Sequence, residues 1–160
     1  METNNQVYSE NKIKKGGILQ IYTDGASRGN PGPSAYAFVF VRKEDKQIIY
    51  KEADYLGETT NNKAEYHAII NALEKAVKYT RGDIEVYSDS ELAIKQINRE
   101  YRIKNDELQK LCDKVYSLKE RYASVKFIHV PRENEFIRIA DKMCNDTLDE
   151  KTGKSSKNRH

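Results

Sequence analysis

Short apolar runs alternate along the chain with longer segments whose apolar residues recur every three to four positions. The strand-like runs are, in chain order, residues 18–24, 35–42, 47–55, 84–89 and 125–130. The helical segments are the alanine-rich residues 64–76 and residues 91–100, 105–121 and 136–148. Short apolar runs predict strands, and the longer repeat predicts helices. The order of the elements therefore predicts one α/β domain built on a five-stranded sheet.

The links between the strands predict their directions. A segment rich in Gly and Pro, residues 25–33, and a polar turn, residues 43–46, connect the first three strands. Links this short favour an antiparallel meander. The later strands are separated by helices, which is typical of parallel strands joined by right-handed crossovers. We therefore expect a mixed sheet of three antiparallel strands followed by parallel strands, flanked by helices.

The domain is expected to span residues 17–150. Residues 1–16 and 151–160 are polar and have little to bury, so we interpret them as a flexible N-terminal extension and a flexible basic tail. The longest apolar run, residues 35–41, is too short to cross a bilayer. The N-terminus also lacks the apolar segment of a secretory signal.

Charge and cysteine content narrow the class of protein. The 160 residues include 33% charged residues, and the net charge is +3. This mild excess permits a polyanionic partner without requiring one. Cys112 and Cys144 lie on predicted helices and form no CxxC pair, so we interpret them as buried thiols rather than a zinc site. Reduced thiols and the absence of a signal predict a cytoplasmic protein.

Four acidic residues occupy positions where a solvated charge is not expected. Asp24 and Asp89 end apolar strands, and Glu65 and Asp141 lie in the apolar stripes of predicted helices. Ligands of α/β sheets gather outside the carboxyl ends of the strands. Each acid also has a structural interpretation, since Asp forms turns and Asp89 can cap the next helix. All four together, without a basic residue at a matching buried position, favour a shared site.

The chemistry of these four acids indicates divalent cations. Buried carboxylates repel one another and are costly without compensation. Their oxygens are hard ligands, which suit magnesium or manganese better than zinc. We therefore expect a metal-dependent site.

Three other features have more than one interpretation. Residues 25–33 resemble a phosphate-binding loop, but they lack its GK[ST] ending, so a turn between strands is favoured. Thr60 or Asn61 is expected to cap the alanine-rich helix, and the same Thr and Asn side chains offer donors to phosphates or bases. A group of exposed cations is either solvated surface or a contact to a phosphate backbone. These cations are Lys95, Arg99, Arg102, Lys104 and Arg132.

The four acids lie in four motifs of a family resemblance that covers about residues 18–149. The motifs are TDGASRGNPGPSAYAFV, TTNNKAEYHAIINALEKA, VYSDSELAIKQINREYRIKN and HVPRENEFIRIADKMCN. In this order they resemble the type 1 ribonuclease H family. A single motif would mean little, but four motifs in order and at consistent spacing are a specific signature of a family. The resemblance implies the ribonuclease H-like fold. It also implies an endoribonuclease that hydrolyses the RNA strand of RNA/DNA hybrids without sequence specificity, leaving 5′-phosphate and 3′-hydroxyl ends.

The resemblance further implies roles for individual residues. The positions that match the family's catalytic metal ligands are Asp24, Glu65, Asp89 and Asp141. They would hold two Mg²⁺ ions, with Mn²⁺ as a substitute, and Asp24 would bridge both ions. The positions that match contacts to the hybrid substrate are Gly25, Asn30, Thr60 and Asn62. The chain is expected to act as a monomer, without an obligate protein partner and without a membrane.

The chain departs from the family pattern in two places. The loop before the last helix lacks the family's histidine, and Arg132, Glu133 or Glu135 remains as a replacement. The basic, Trp-containing protrusion of many bacterial members is also absent. Two other functions remain open, an integrase-like strand-transfer enzyme and a hybrid-binding module without catalysis. The extended TTNNKAEY match argues against the first, and the presence of all four acids argues against the second.

Overall fold

The structure, a computed structural model, describes residues 13–153 and is organised around one sheet. The strands are β1 (Ile18–Ser27), β2 (Gly32–Arg42), β3 (Gln47–Thr59), β4 (Asp83–Ser88) and β5 (Ser124–His129). The helices are α1 (Asn61–Ala76), α2 (Glu91–Ile97), α3 (Asp106–Lys119) and α4 (Glu135–Thr152). Every strand and helix predicted from the sequence is present, in the predicted order.

The five strands form a mixed sheet in the order β3-β2-β1-β4-β5. β1 pairs with β2, and β2 with β3, in antiparallel ladders. β1 also pairs with β4, and β4 with β5, in parallel ladders. The predicted fold class, with three antiparallel strands followed by parallel strands, is therefore confirmed.

Alternation along the strands divides the apolar residues between two cores. On β1, Leu19 and Ile21 belong to the larger core, which also contains apolar residues of α1, α2 and α3. Tyr22 faces the opposite side of the sheet and belongs to a smaller core with Ile137 and Cys144 of α4. Even-numbered residues of β1 therefore face α4, and odd-numbered residues face α1.

β1 is longer than the sequence predicts. Its pairing with β2 continues past Asp24 to Ser27, which lies opposite Ser34. The expected loop of residues 25–33 therefore shrinks to residues 28–31. Gly and Pro are disfavoured in strands, but cross-strand pairing to β2 outweighs this local preference.

β3 and α2 also end at residues other than those expected. β3 continues to Thr59 through a bulge in which Leu56 has no partner on β2 and Gly57 has a φ of 78°. α2 ends at Ile97 rather than at Glu100, because Arg99 takes a left-handed conformation with a φ of 64°. The N–H of Arg99 donates to the carbonyl of Gln96 at 3.1 Å, which closes the last turn.

Side-chain caps fix where the helices begin. The Thr60 hydroxyl accepts from the N–H of Lys63, so Thr60 rather than Asn61 caps α1. Ser90 caps α2 in the same way, through the N–H of Ala93. Asp89 is therefore not the cap of α2, and its carboxylate is left for another role.

The ends of the described chain pack onto the domain. The N–H of Ile13 donates to the carbonyl of Tyr79 at 3.0 Å, and α4 ends at Thr152, with Gly153 as its C-cap. Residues 1–12 and 154–160, which hold most of the predicted flexible ends, lie outside the described residues. Within residues 13–153, no helix is both long enough and apolar enough to span a bilayer. Both cysteines are buried and unpaired, as predicted.

Candidate metal centre

Asp24 and Asp89 lie side by side where the parallel ladder between the neighbouring strands β1 and β4 ends. The parallel ladder between β1 and β4 ends with Thr23 opposite Ser88. Asp24 directly follows Thr23, and Asp89 directly follows Ser88. The two aspartates therefore lie at the same height along the neighbouring strands. Asp24 is only 5% exposed, whereas Asp89 is half-buried.

Glu65 reaches the same point from the other side of the sheet. It lies in the second turn of α1 and is 4% exposed. The N–H of Gly25 donates to Glu65 Oε1 at 3.1 Å, and the Ser88 hydroxyl donates to Oε2 at 3.3 Å. One contact from β1 and one from β4 therefore fix the Glu65 carboxylate.

Gly25 allows α1 to approach the sheet this closely. A Cβ at Gly25 would lie 2.2 Å from the carbonyl carbon of Ala64 and 2.4 Å from the nitrogen of Glu65. Both atoms are backbone atoms of α1, which cannot yield as a flexible side chain can. The absence of a side chain at Gly25 is therefore a condition for placing Glu65 beside Asp24.

The acids meet in one cleft. Carboxylate oxygens of Asp24, Glu65 and Asp89 all lie within 4.8 Å of one another. Asp141, on the second turn of α4, is not in this closest group but lines the same cleft of about 400 Å³. The four acids that the sequence singles out therefore line one cleft. Asp24, Glu65 and Asp89 form a close cluster, and Asp141 lies outside this cluster.

Burial and mutual repulsion dominate the electrostatics of the cleft. Burial, together with the charges of Asp89 and Asp141, raises the pKa of Asp24 to about 8. Burial and the charges of Asp24 and Asp89 likewise raise the pKa of Glu65 well above its usual range. The pKa of Asp89 is also raised, mainly by burial, although the charge of Arg132 opposes the shift. The carboxylates therefore lack sufficient compensating charge within the protein.

The donor set fits hard divalent cations. Asp24 Oδ2 is buried and has no hydrogen-bond partner among residues 13–153, although buried carboxylate oxygens normally have one. The four acidic side chains that line the cleft offer only oxygen ligands, which Mg²⁺ and Mn²⁺ prefer. Arg132 is the one basic residue in the described lining, and it makes no ion pair within 4 Å with any described carboxylate. The protein itself therefore does not neutralise the cluster.

Comparison with known proteins agrees with this geometry. Residues 22–147 match the model of the Reverse transcriptase-like family. The chain is 38% identical to Ribonuclease HI of Halobacterium salinarum over 136 residues, which is 85% of this chain and 67% of that protein. The crystal structure of RNase H1 from the same archaeon has a TM-score of 0.79 at 37% identity, over 84% of this chain and 99% of that chain. The chain belongs to the type 1 ribonuclease H family.

A second solved structure extends the comparison to a bound nucleic acid. LC11-RNase H1, solved in complex with an RNA/DNA hybrid, has a TM-score of 0.77 at 35% identity. The alignment covers 84% of this chain and 99% of that chain. The family assignment and the ribonuclease H-like fold expected from the four motifs are thus confirmed.

The residues that the ribonuclease H resemblance assigns to substrate contacts cluster around the start of α1. Thr60 is the cap of this helix, Asn62 is half-buried in its first turn, and Gly25 packs beneath it. The exposed Asn30 accepts from the N–H of Asn61 at 3.1 Å, which ties the β1–β2 loop to the same helix end. The four residues share one surface next to the acids, and their contacts to substrate remain a prediction.

Ser88 and Asn61 also contribute to this cluster, and the sequence does not assign either residue to the acids. Ser88 is fully buried and orients Glu65, and Asn61 lines the cleft beside the acids. Strand alternation contains a signal for the first, because the residue before Asp89 must face the opposite side of the sheet, where α1 lies. For Asn61 the sequence predicts a cap or a donor to phosphates or bases, and the structure places this residue in the lining of the cleft.

Proposed function

We propose that the protein is a metal-dependent endoribonuclease that cleaves the RNA strand of RNA/DNA hybrids and leaves 5′-phosphate and 3′-hydroxyl ends. The convergence of four carboxyl groups in one cleft, with an unpartnered oxygen on Asp24, is the observation that supports it most directly. Membership of the ribonuclease H family and the hybrid complex of LC11-RNase H1 agree with this substrate.

The proposed metal ligands are Asp24, Glu65, Asp89 and Asp141. When bound, two Mg²⁺ or Mn²⁺ ions would supply positive charge at the attacking and leaving oxygens of the phosphodiester. The protein positions the ligands from both sides of the sheet, and hydrogen bonds from Gly25 and Ser88 hold Glu65 in one orientation. Hence the cluster is arranged before a cation arrives, because these contacts do not depend on one.

The substrate surface is proposed to include Gly25, Asn30, Thr60 and Asn62, next to the N-terminus of α1. A helix N-terminus attracts phosphate through its unpaired N–H groups and its dipole. Contacts from backbone and small polar side chains recognise the shape and the 2′-hydroxyls of a duplex rather than its bases. We therefore expect cleavage without sequence specificity.

Cleavage assays with labelled duplexes test the proposal. The protein is incubated with an RNA/DNA hybrid, double-stranded RNA and double-stranded DNA, each in the presence of Mg²⁺ or Mn²⁺. Products confined to the RNA of the hybrid, with 5′-phosphate ends, support the proposal. Binding of the hybrid without cleavage under all of these conditions refutes it and favours a binding module. Joining of DNA strands would favour a strand-transfer enzyme.

Divalent cations are expected to stabilise the protein against heat. A cation that binds only the folded state at about 100 times its Kd adds roughly 2.7 kcal/mol. Protons compete for the same carboxylates, and the pKa of Asp24 is raised to about 8. The stabilisation should therefore grow between pH 6 and pH 9. Differential scanning fluorimetry with MgCl₂ or EDTA measures it, and an unchanged melting temperature across this range would argue against a cation site.

Arg132 is expected to assist cleavage without holding the fold together. Its side chain lines the cleft and is exposed, and its charge acts on Asp24 and Asp89. A free guanidinium there can pair with a phosphate oxygen of the substrate. Arg132→Ala should lower kcat/KM by about 10- to 100-fold at an unchanged melting temperature. Arg138→Ala, an exposed arginine on α4, serves as the control, and equal activity of the two variants would exclude this role.

A further inference from the structure

Arg28 links the β1–β2 loop to the end of α4. Its Nη2 lies 2.7 Å from Asp149 Oδ1, and this nitrogen also donates to the carbonyl of Asn145 at 3.2 Å. Nη1 donates to the hydroxyl of Thr152 at 3.4 Å. One side chain therefore contacts the last two turns of α4 at three residues.

The same loop is attached to the start of α1 on its other side. Asn30 Oδ1 accepts from the N–H of Asn61 at 3.1 Å. Just before the loop, the hydroxyl of Ser27 at the end of β1 donates to the carbonyl of Thr59 at the end of β3, at 3.1 Å. The loop of residues 28–31 thus bridges the helix that carries Glu65 and the helix that carries Asp141. Asn30, a proposed substrate contact, makes the attachment to α1, two residues after Arg28.

The ion pair between Arg28 and Asp149 costs desolvation free energy, because both side chains are largely buried. Such a pair is stable only when its partners are well placed. The side chains of Arg28 and Asp149 are each 16% exposed, and Arg28 Nε is buried without a hydrogen-bond partner among residues 13–153. Burying a guanidinium requires an opposite charge and well-placed acceptors. Asp149 supplies the charge, and the C-terminal end of α4 adds the negative end of its dipole. A lysine has one donor group and cannot reproduce the separate contacts of Nη1 and Nη2.

We propose that Arg28 is a positioning residue for the nucleic-acid substrate. Anchored on α4, it holds Asn30 in place beside the N-terminus of α1, so that the surface that receives the duplex is formed before binding. This inference rests on the proposed function, and it assigns Arg28 no contact with the reacting atoms. Loss of Arg28 should therefore weaken substrate binding more than it slows the chemical step.

Steady-state kinetics on the hybrid separate these two effects. Arg28→Ala is expected to raise KM by about tenfold and to change kcat by less than about twofold, well below the unfolding temperature. Arg28→Lys and Asp149→Asn should raise KM to an intermediate degree, and either can replace Arg28→Ala if that variant does not fold. Lys142→Ala is the matched control, since it removes an exposed ion pair with Asp146 on the same helix. It should leave KM unchanged.

Binding of the hybrid without cleavage provides a second readout. In an Asp24→Asn background, adding Arg28→Ala should raise the Kd for the hybrid by the same factor as KM. An unchanged KM and Kd in the Arg28 variants would overturn the proposal, even if their melting temperatures fall, because Arg28 would then only stabilise the fold. A decrease in kcat alone, with KM unchanged, would overturn it as well. Such a result would mean that Arg28 affects the chemical step through α4, which carries Asp141, rather than substrate binding.

Hydrogen exchange distinguishes failure of this inference from failure of the proposed function. If the wild-type protein cleaves no hybrid, the proposed function fails, but the anchoring of the loop can still be measured. Arg28→Ala should then speed exchange at the amides of residues 28–30 and at Asn61, and Lys142→Ala should not. Equal exchange in the two variants would show that Arg28 does not position the loop.

Discussion

Asp24→Asn is expected to lower cleavage of the hybrid by at least about a thousandfold and, without divalent cations, to raise the unfolding temperature. The activity falls because Asp24 belongs to the group whose carboxylate oxygens lie within 4.8 Å of one another. The stability rises because Asp24 is 5% exposed and its Oδ2 has no hydrogen-bond partner among residues 13–153. A neutral amide in this place removes a buried charge that the protein does not compensate.

The gain in stability should depend on pH in a defined direction. The pKa of Asp24 is raised from an ordinary value of 3.8 to about 8, so the folded state binds this proton more tightly than the unfolded state. The cation-free wild-type protein therefore loses stability as the pH rises from about 4 to about 8. Asp24→Asn removes this loss, so its advantage should be small near pH 4 and should grow to several kcal/mol above pH 8.

Thermal unfolding in EDTA at pH 5, 7 and 9, together with cleavage assays in Mg²⁺, measures both effects. Asp54→Asn, which neutralises an exposed carboxylate on β3, is the control and should show neither effect. Cleavage by Asp24→Asn within tenfold of the wild-type rate would remove Asp24 from the proposed mechanism. A variant less stable than wild type at pH 9 in EDTA would show that the charge of Asp24 supports the fold.

Gly25→Ala is expected to be the most destabilising single-methyl substitution near the site. The added Cβ would lie 2.2 Å from the carbonyl carbon of Ala64, so α1 must move away from β1. A displacement of packed backbone is expected to cost about 3 kcal/mol or more, and it would also pull Glu65 away from Asp24. We therefore expect stability and cleavage to fall together in this variant.

Urea denaturation with and without cations measures this loss. Gly82→Ala is the matched control, because its Cβ would meet only the Thr80 side-chain oxygen at 3.3 Å. The control should change the free energy of unfolding by less than about 1 kcal/mol. If Gly25→Ala were as stable as wild type, α1 would be able to move away from β1 without a loss of stability. The close contact with Ala64 would then not be the reason for a glycine at position 25.

The fold and the convergence of the acids could be predicted because both follow from periodicity. Alternation on β1 and β4 decides which face each residue takes, and the helical repeat of α1 turns Glu65 toward the sheet. These are local rules that need only the sequence. They place Asp24, Glu65 and Asp89 together without any knowledge of side-chain contacts.

The features that could not be predicted depend on distant partners. The extension of β1 to Ser27 requires β2 as its pairing strand, and the early end of α2 requires a left-handed Arg99, which its residue type does not indicate. The contact of Arg28 with Asp149 joins residues that lie far apart in the chain. No periodic pattern encodes such a pair, and Arg28 looks in the sequence like any exposed cation.

The common end of the β1–β4 ladder limits which insertions and deletions the chain can tolerate. Because Ser88 and Asp89 face opposite sides of the sheet, removing one residue within β4 would exchange their directions and turn the carboxylate toward α1. A length change in residues 98–105, the connection between α2 and α3, leaves this register intact. Related proteins are therefore expected to vary in length in that connection and to keep the spacing within β4.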